Sequence, residues 1–113
     1  MKNIFIACDT NNVQKIKKII KQTQIKIKGY RIGYKLGLEF FYSKNGRKFI
    51  EKSKVKNLWL DVKIFDIPNT SSAAIKSLSD LKNINYITVH ISGGLDALKA
   101  IKKATKKYNK KLK

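Results

Sequence analysis

Short apolar runs alternate along the chain with stretches in which apolar residues recur every three or four positions, and the alternation repeats four times. The first run, Asn3 to Cys8, is nearly continuous in Ile, Phe and Ala, the mark of a strand buried on both faces. It stops at Asp9, and Thr10, Asn11 and Asn12 offer N-caps for a helix. Val13, Ile16, Ile19 and Ile20 form one face of that helix, with Lys15, Lys17, Lys18 and Lys21 opposite. A second strand is predicted from Tyr30 to Lys35, in which Gly33 permits close backbone approach. Leu38, Phe40, Phe41 and Tyr42 predict one or two helical turns. Asn45-Gly46 interrupts, and helix resumes from Arg47 to Ser53 with Phe49 and Ile50 inward.

The third strand is placed at Asn57 to Val62, and Pro68 suits the first turn of the helix that follows, where its missing N–H costs nothing. Ala74, Ile75, Leu78 and Leu81 give this helix its apolar side. Tyr86 to Ile91 is a fourth strand rich in β-branched residues. Ser92-Gly93-Gly94 then turns the chain into a last helix with Ala97, Ala100, Ile101 and Ala104 on one face. Residues 1–105 carry the four units, and residues 106–113 read as a basic tail expected to fray.

Predicted strands begin at Asn3, Tyr30, Asn57 and Tyr86, spacings of 27, 27 and 29 residues. So regular a βα alternation predicts an α/β fold, a parallel sheet covered by helices with right-handed crossovers. In such folds ligands bind at the C-terminal ends of the strands. The chain has only seven acidic residues, and three of them, Asp9, Asp61 and Asp66, fall at or just past strand C-termini. Lys35, Lys63 and His90 fall there too. Asp61 and Lys63 are two apart and so should leave the strand on one face. Taken singly, each residue has an ordinary reading: a surface ion pair for Asp61 and Lys63, a helix N-cap for Asp9, a solvated Lys35, a hydrogen-bonded core imidazole for His90. Gathered at one rim, Asp9, Lys35, Asp61, Lys63, Asp66 and His90 point instead to a site where charge is used. Ser92-Gly93-Gly94 can present backbone N–H groups to a phosphate, but it matches no phosphate-loop pattern, and a glycine turn is the better reading.

Charge changes this picture less than its size suggests. The formal net charge is +19, which ordinarily suggests nucleic acid or an anionic surface. All but two of the 26 basic residues are lysines, however, and only Arg31 and Arg47 offer the bidentate fork used to read bases and clamp phosphates. The lysines are spread among abundant Ile and Asn in the manner of coding bias. A basic nucleic-acid-binding module is therefore kept as the rival reading, with no specific nucleic-acid partner expected. The single cysteine, Cys8, excludes an internal disulfide and fits a reducing, cytoplasmic setting. One Cys and one His leave no metal-ligand cluster. No run is long and apolar enough for a transmembrane helix, and the N-terminus lacks a signal-peptide pattern, so no membrane partner is expected.

The run Leu60-Asp-Val-Lys-Ile-Phe-Asp-Ile-Pro-Asn-Thr70 resembles the active-site signature of orotidine 5′-phosphate decarboxylase. Ala7-Cys-Asp9, Ile32-Gly-Tyr-Lys-Leu-Gly-Leu-Glu-Phe-Phe41 and Val89-His-Ile-Ser-Gly-Gly94 extend the resemblance in the family's order, over residues 3 to 105. The D-x-K-x-x-D core is shared with sugar-phosphate decarboxylases and hexulose-phosphate synthases, the alternative enzyme reading. The extension Asp66 to Thr70 points to the orotidine enzyme.

The resemblance implies a TIM-type (β/α)8 barrel, of which this chain is a parallel (β/α)4 half. It implies a carboxy-lyase of de novo pyrimidine biosynthesis that converts orotidine 5′-phosphate to uridine monophosphate and carbon dioxide without metal or cofactor. Lys35, Asp61, Lys63 and Asp66 would form the charged catalytic network. Asp9 and Lys35 would hold the ribose, and Asp66, Ile67 and Thr70 would reach into the partner's site in a homodimer. A full barrel typically needs about 250 residues, and the phosphate and pyrimidine grips come from its second half. The 113-residue chain is therefore expected to be a fragment, a split half or a self-associating half-barrel, with little or no turnover alone.

Overall fold

A computed structural model describes residues 1–113. Four strands, β1 (Lys2–Cys8), β2 (Tyr30–Gly37), β3 (Leu58–Ile64) and β4 (Ile84–Val89), alternate with helices. Helix α1 (Val13–Thr23) follows β1, and α2 (Leu38–Tyr42) with α3 (Gly46–Lys52) follows β2. Helix α4 (Pro68–Ser77) follows β3, and a 3-10 turn (Ile91–Gly93) leads from β4 into α5 (Leu95–Tyr108). The strands lie in the order β1-β2-β3-β4, every pair parallel. This is the expected (β/α)4 arrangement. Three strands are displaced from expectation: β2 runs on to Gly37, β3 runs on to Ile64, and β4 begins at Ile84 and ends two residues before Ile91.

One expectation about the sheet is overturned. The strands are not buried on both faces. Cys8, Tyr34, Leu36, Leu58 and Leu60 share one parity and enter a single core with Ile16, Phe40, Ile50, Ile75 and Ile101 from the helices. The other parity carries Phe5, Lys35, Trp59 and Asp61, none of which belongs to that core. Phe5 there sets its ring edge-on against Trp59 at 5.4 Å and Tyr86 at 5.1 Å, an aromatic strip with no helix over it. Ile4 on edge strand β1 remains 38% exposed. Apolar runs resemble doubly covered strands, but only one side is covered within this chain.

The helices form as their patterns require. Asn12 caps α1, its side chain accepting from the Lys15 N–H at 3.1 Å, so the cap is not Asp9. Gly33 is needed where expected: a Cβ there would lie 2.5 Å from the Asn57 carbonyl oxygen and 2.6 Å from the Phe5 ring. Gly94, with φ of 90°, makes the left-handed turn into α5 that glycine allows.

The lysine-rich end does not fray. Helix α5 continues to Tyr108, Leu112 is buried, and Lys113 docks on the free edge of β4. Its N–H donates to Asn85 at 2.8 Å and its carbonyl accepts from Ile87 at 2.9 Å, the pattern of a parallel neighbour beside Tyr86.

Candidate functional site

The carboxylate of Asp61 is the hub of the C-terminal rim. Its Oδ1 accepts from Lys63 Nζ at 2.9 Å and from Thr88 Oγ1 at 2.7 Å, while its Oδ2 accepts from Lys35 Nζ at 3.2 Å. Lys35 also lies 3.8 Å from Asp9. Three neighbouring strands thus bring Asp9, Lys35, Asp61 and Lys63 together, and β4 adds Thr88.

Local backbone explains how Asp61 and Lys63 meet. They are two apart, but β3 is irregular between Leu60 and Ile64 in its pairing with β4. Lys63 has a φ of 48°, the left-handed region that side chains with a Cβ adopt at a cost of roughly 1–2 kcal/mol. Its N–H donates to Thr88 Oγ1 at 3.0 Å in place of a ladder partner, and the His90 N–H resumes the ladder on Ile64 at 2.8 Å. Thr88 therefore does two jobs with one hydroxyl. It accepts from the kinked backbone and donates to Asp61.

Burial pushes the Asp61 carboxyl up, but hydrogen bonds from Lys63, Thr88 and Lys35, with the nearby Lys63 charge, outweigh it and hold the group at about 2. Asp61 is thus a fixed anion at neutral pH. Its side chain is 11% exposed and that of Lys35 24%, whereas Lys63 is 62% exposed. The array presents an exposed ammonium to an open depression of about 240 Å³, lined by Asp9, Lys35, Leu38, Asp61 and Lys63 among others. It can orient an anionic or hydroxylated ligand, place a carboxylate against it, and deliver a proton from Lys63. No three His, Cys, Asp or Glu side chains converge to hold a metal ion.

The remaining candidates lie nearby but apart. Asp66 is exposed, and its Oδ1 accepts from the Ile67 N–H at 2.7 Å instead of joining the lysines of this chain. Ile67 is 65% exposed and Thr70 is exposed. Asp66 and Thr70 line a second depression of about 480 Å³, which shares Leu38 and Lys63 with the first. Buried Ser71, in α4 beside Thr70, anchors the loop of Asp66 by donating to the Asp66 carbonyl at 3.0 Å.

His90 is not a core histidine. It is exposed, its Nδ1 accepts from the Ser92 N–H at 3.2 Å, and its ring lies 5.0 Å from that of Phe65. Thr88 and Ser71 escape hydrophobic patterning because a lone hydroxyl carries no periodicity. Strand parity was the available signal for Thr88, which points to the same face of β4 as Tyr86.

Comparison with known proteins finds one family along the whole chain. The profile of the Orotidine 5′-phosphate decarboxylase / HUMPS family matches residues 2–113. A Listeria innocua serovar 6a orotidine 5′-phosphate decarboxylase is 35% identical over 102 residues, covering 88% of this chain and 41% of the relative. The Malacoplasma penetrans enzyme of the same name is 32% identical over 114 residues, covering 99% of this chain and 47% of the relative. The crystal structure of orotidine 5′-phosphate decarboxylase from Lactobacillus acidophilus superposes with a TM-score of 0.71 at 28% identity, covering 92% of this chain and 45% of that one. The chain thus spans less than half the length of each. With a profile match across essentially its whole length, the chain belongs to the orotidine 5′-phosphate decarboxylase / HUMPS family.

Proposed function

We propose that this chain supplies the N-terminal half-barrel of an orotidine 5′-phosphate decarboxylase and carries its reacting groups. The observation that carries the reading is the Asp61 carboxylate, held ionised between Lys63, Thr88 and Lys35 at the strand ends. In the proposed reaction the bond from C6 of the pyrimidine to its carboxylate breaks, and carbon dioxide leaves. The electron pair stays on C6 and takes a proton from the Lys63 ammonium, giving uridine monophosphate. A preplaced cation beside the developing carbanion lowers the barrier electrostatically. Asp61 faces the departing carboxylate, and Asp9 with Lys35 holds the ribose hydroxyls. The role of Lys63 is supported by its exposure to the open depression, and that of Asp9 by its 3.8 Å approach to Lys35.

The reading extends to assembly. Asp66, Ile67 and Thr70 would complete the site of a second subunit in a homodimer, supported by their exposure on the loop and first turn of α4 beside Phe65, which is 63% exposed. A complementary (β/α)4 half would pair with the edge of β1 and, displacing Lys113, with that of β4, and would supply the phosphate and pyrimidine grips. The setting would be the cytoplasm, in pyrimidine synthesis. No helix is long and apolar enough to cross a membrane.

The test mixes the purified chain with a C-terminal half-barrel taken from the Lactobacillus acidophilus relative and follows conversion of orotidine 5′-phosphate. The expected result is little turnover by either piece, turnover on mixing, and none with Lys63→Ala. A soluble, stably associated pair that leaves the substrate untouched sinks the reading. The D-x-K-x-x-D core also favours a sugar-phosphate lyase, and ligand stabilisation separates the two. Uridine monophosphate, not ribulose 5-phosphate, is expected to raise the melting temperature of the associated pair.

A further inference from the structure

A groove of about 600 Å³ runs between α1 and α3 on the helical side of the sheet and shares no lining residue with either depression at the rim. Its floor is apolar, from half-buried Ile20, Phe49 and Val55. Its walls are basic: exposed Lys17 and Lys21 stand one turn apart on α1, and exposed Lys48 and Lys52 one turn apart on α3. No Asp or Glu lines it, and none of the four lysines belongs to an ion pair. Like charges at i and i+4 each destabilise a helix by a few tenths of a kcal/mol, and here two such pairs face one apolar trough unneutralised.

We propose that this groove docks a short acidic amphipathic helix of a partner protein. Apolar side chains of that helix at i, i+3 and i+4 would fill the trough, and carboxylates on its two flanks would meet the two lysine rows. The 11-residue α1 sets the length of the occupant, about 16 Å or three helical turns. Charge complementarity decides the sign of the partner, and the apolar floor decides its class. Grooves that hold a single nucleic-acid strand combine basic walls with an aromatic face on which bases stack. Phe49, the groove's one aromatic ring, instead stands edge-on to Phe40 at 5.5 Å.

The probe is a fluorescein-labelled helical peptide of about 14 residues, Leu along one face and Glu on both flanks, against a scrambled peptide of the same composition. Binding to the full chain is read by anisotropy at about 0.15 M salt, where diffuse attraction is screened. The variant K17E/K21E/K48E/K52E should weaken binding at least about tenfold. The equally charged control K99E/K102E/K103E/K106E on α5 should weaken it less than about threefold, and the scrambled peptide should bind poorly. Equal losses in the two variants, or equal binding of the scrambled peptide, would overturn the proposal in favour of unspecific charge. Tighter binding of a short oligothymidylate that depends on the same four lysines would overturn it in favour of nucleic acid. Side-chain amide NMR of Gln14, Gln24 and Asn45 in the unsubstituted chain probes the same groove without relying on a variant that folds. These signals should move as the peptide saturates, and stationary signals would end the idea.

Discussion

Thr88 and Asp61 are joined by a 2.7 Å hydrogen bond that ties β4 to β3, and the same hydroxyl receives the Lys63 N–H at 3.0 Å. Thr88→Val should therefore free the Asp61 carboxyl to rise toward its ordinary range and loosen the kink at Lys63. Thr88→Ser should keep both bonds. Carboxyl-carbon NMR titration of Asp61 in the two variants checks this, and an unmoved midpoint in the valine variant would remove Thr88 from the site.

The fixed charge on Asp61 has a pH signature. Its folded-state value of about 2 lies below the ordinary 3.8, so its contribution to stability is complete above roughly pH 4 and is lost as the pH falls through about 2. Asp80, held down by its hydrogen bonds to Arg47 at 2.6 and 2.8 Å, adds a slope of the same sign. Urea unfolding between pH 5 and 2 should show Asp61→Asn with a shallower loss than the parent, the residual slope belonging to Asp80 and other acids.

Cys8 ends β1 fully buried, and burial, then the adjacent Asp9 charge, pushes its thiol up. Because the thiolate is the reactive form, a disulfide reagent should modify the native chain far more slowly than the urea-unfolded one. Equal rates would mean that the end of β1 opens readily.

Ser71→Ala should cost about 1 kcal/mol, the net worth of one hydrogen bond, and release the Asp66 loop from α4. The loss is read in denaturant midpoints, and the loosening in faster amide exchange at Ile67 and Asn69. Should the reading of Asp66 and Thr70 as intersubunit residues hold, the same variant would weaken dimerisation of the assembled enzyme.

Much of the fold is legible in the sequence because each βα unit announces itself twice, by a compact apolar run and by the helical spacing after it. The observed strand starts at Lys2, Tyr30, Leu58 and Ile84 fall within two residues of expectation. What covers the second sheet face is not legible, since an apolar run such as Ile4-Phe5-Ile6 reads alike beneath a layer of helices and beside open solvent. The convergence of Asp9, Lys35, Asp61 and Lys63 follows from strand ends in a parallel sheet, which all open on one rim. Side-chain direction past a strand end is another matter. There the alternation stops, so His90 turned outward to cap a 3-10 turn while Thr88, two residues earlier, entered the site.

The left-handed backbone at Lys63 sets conformational preference against side-chain electrostatics at a single residue. Left to conformational preference alone, position 63 belongs to Gly or Asn, and Lys63→Gly trades a strained backbone for one that is at ease. Counter to the usual result of removing an ion pair from a nearly buried carboxylate, that variant should lose little stability while losing the ammonium that meets Asp61 at 2.9 Å. At this position backbone preference favours glycine, while the carboxylate of Asp61 favours an amine.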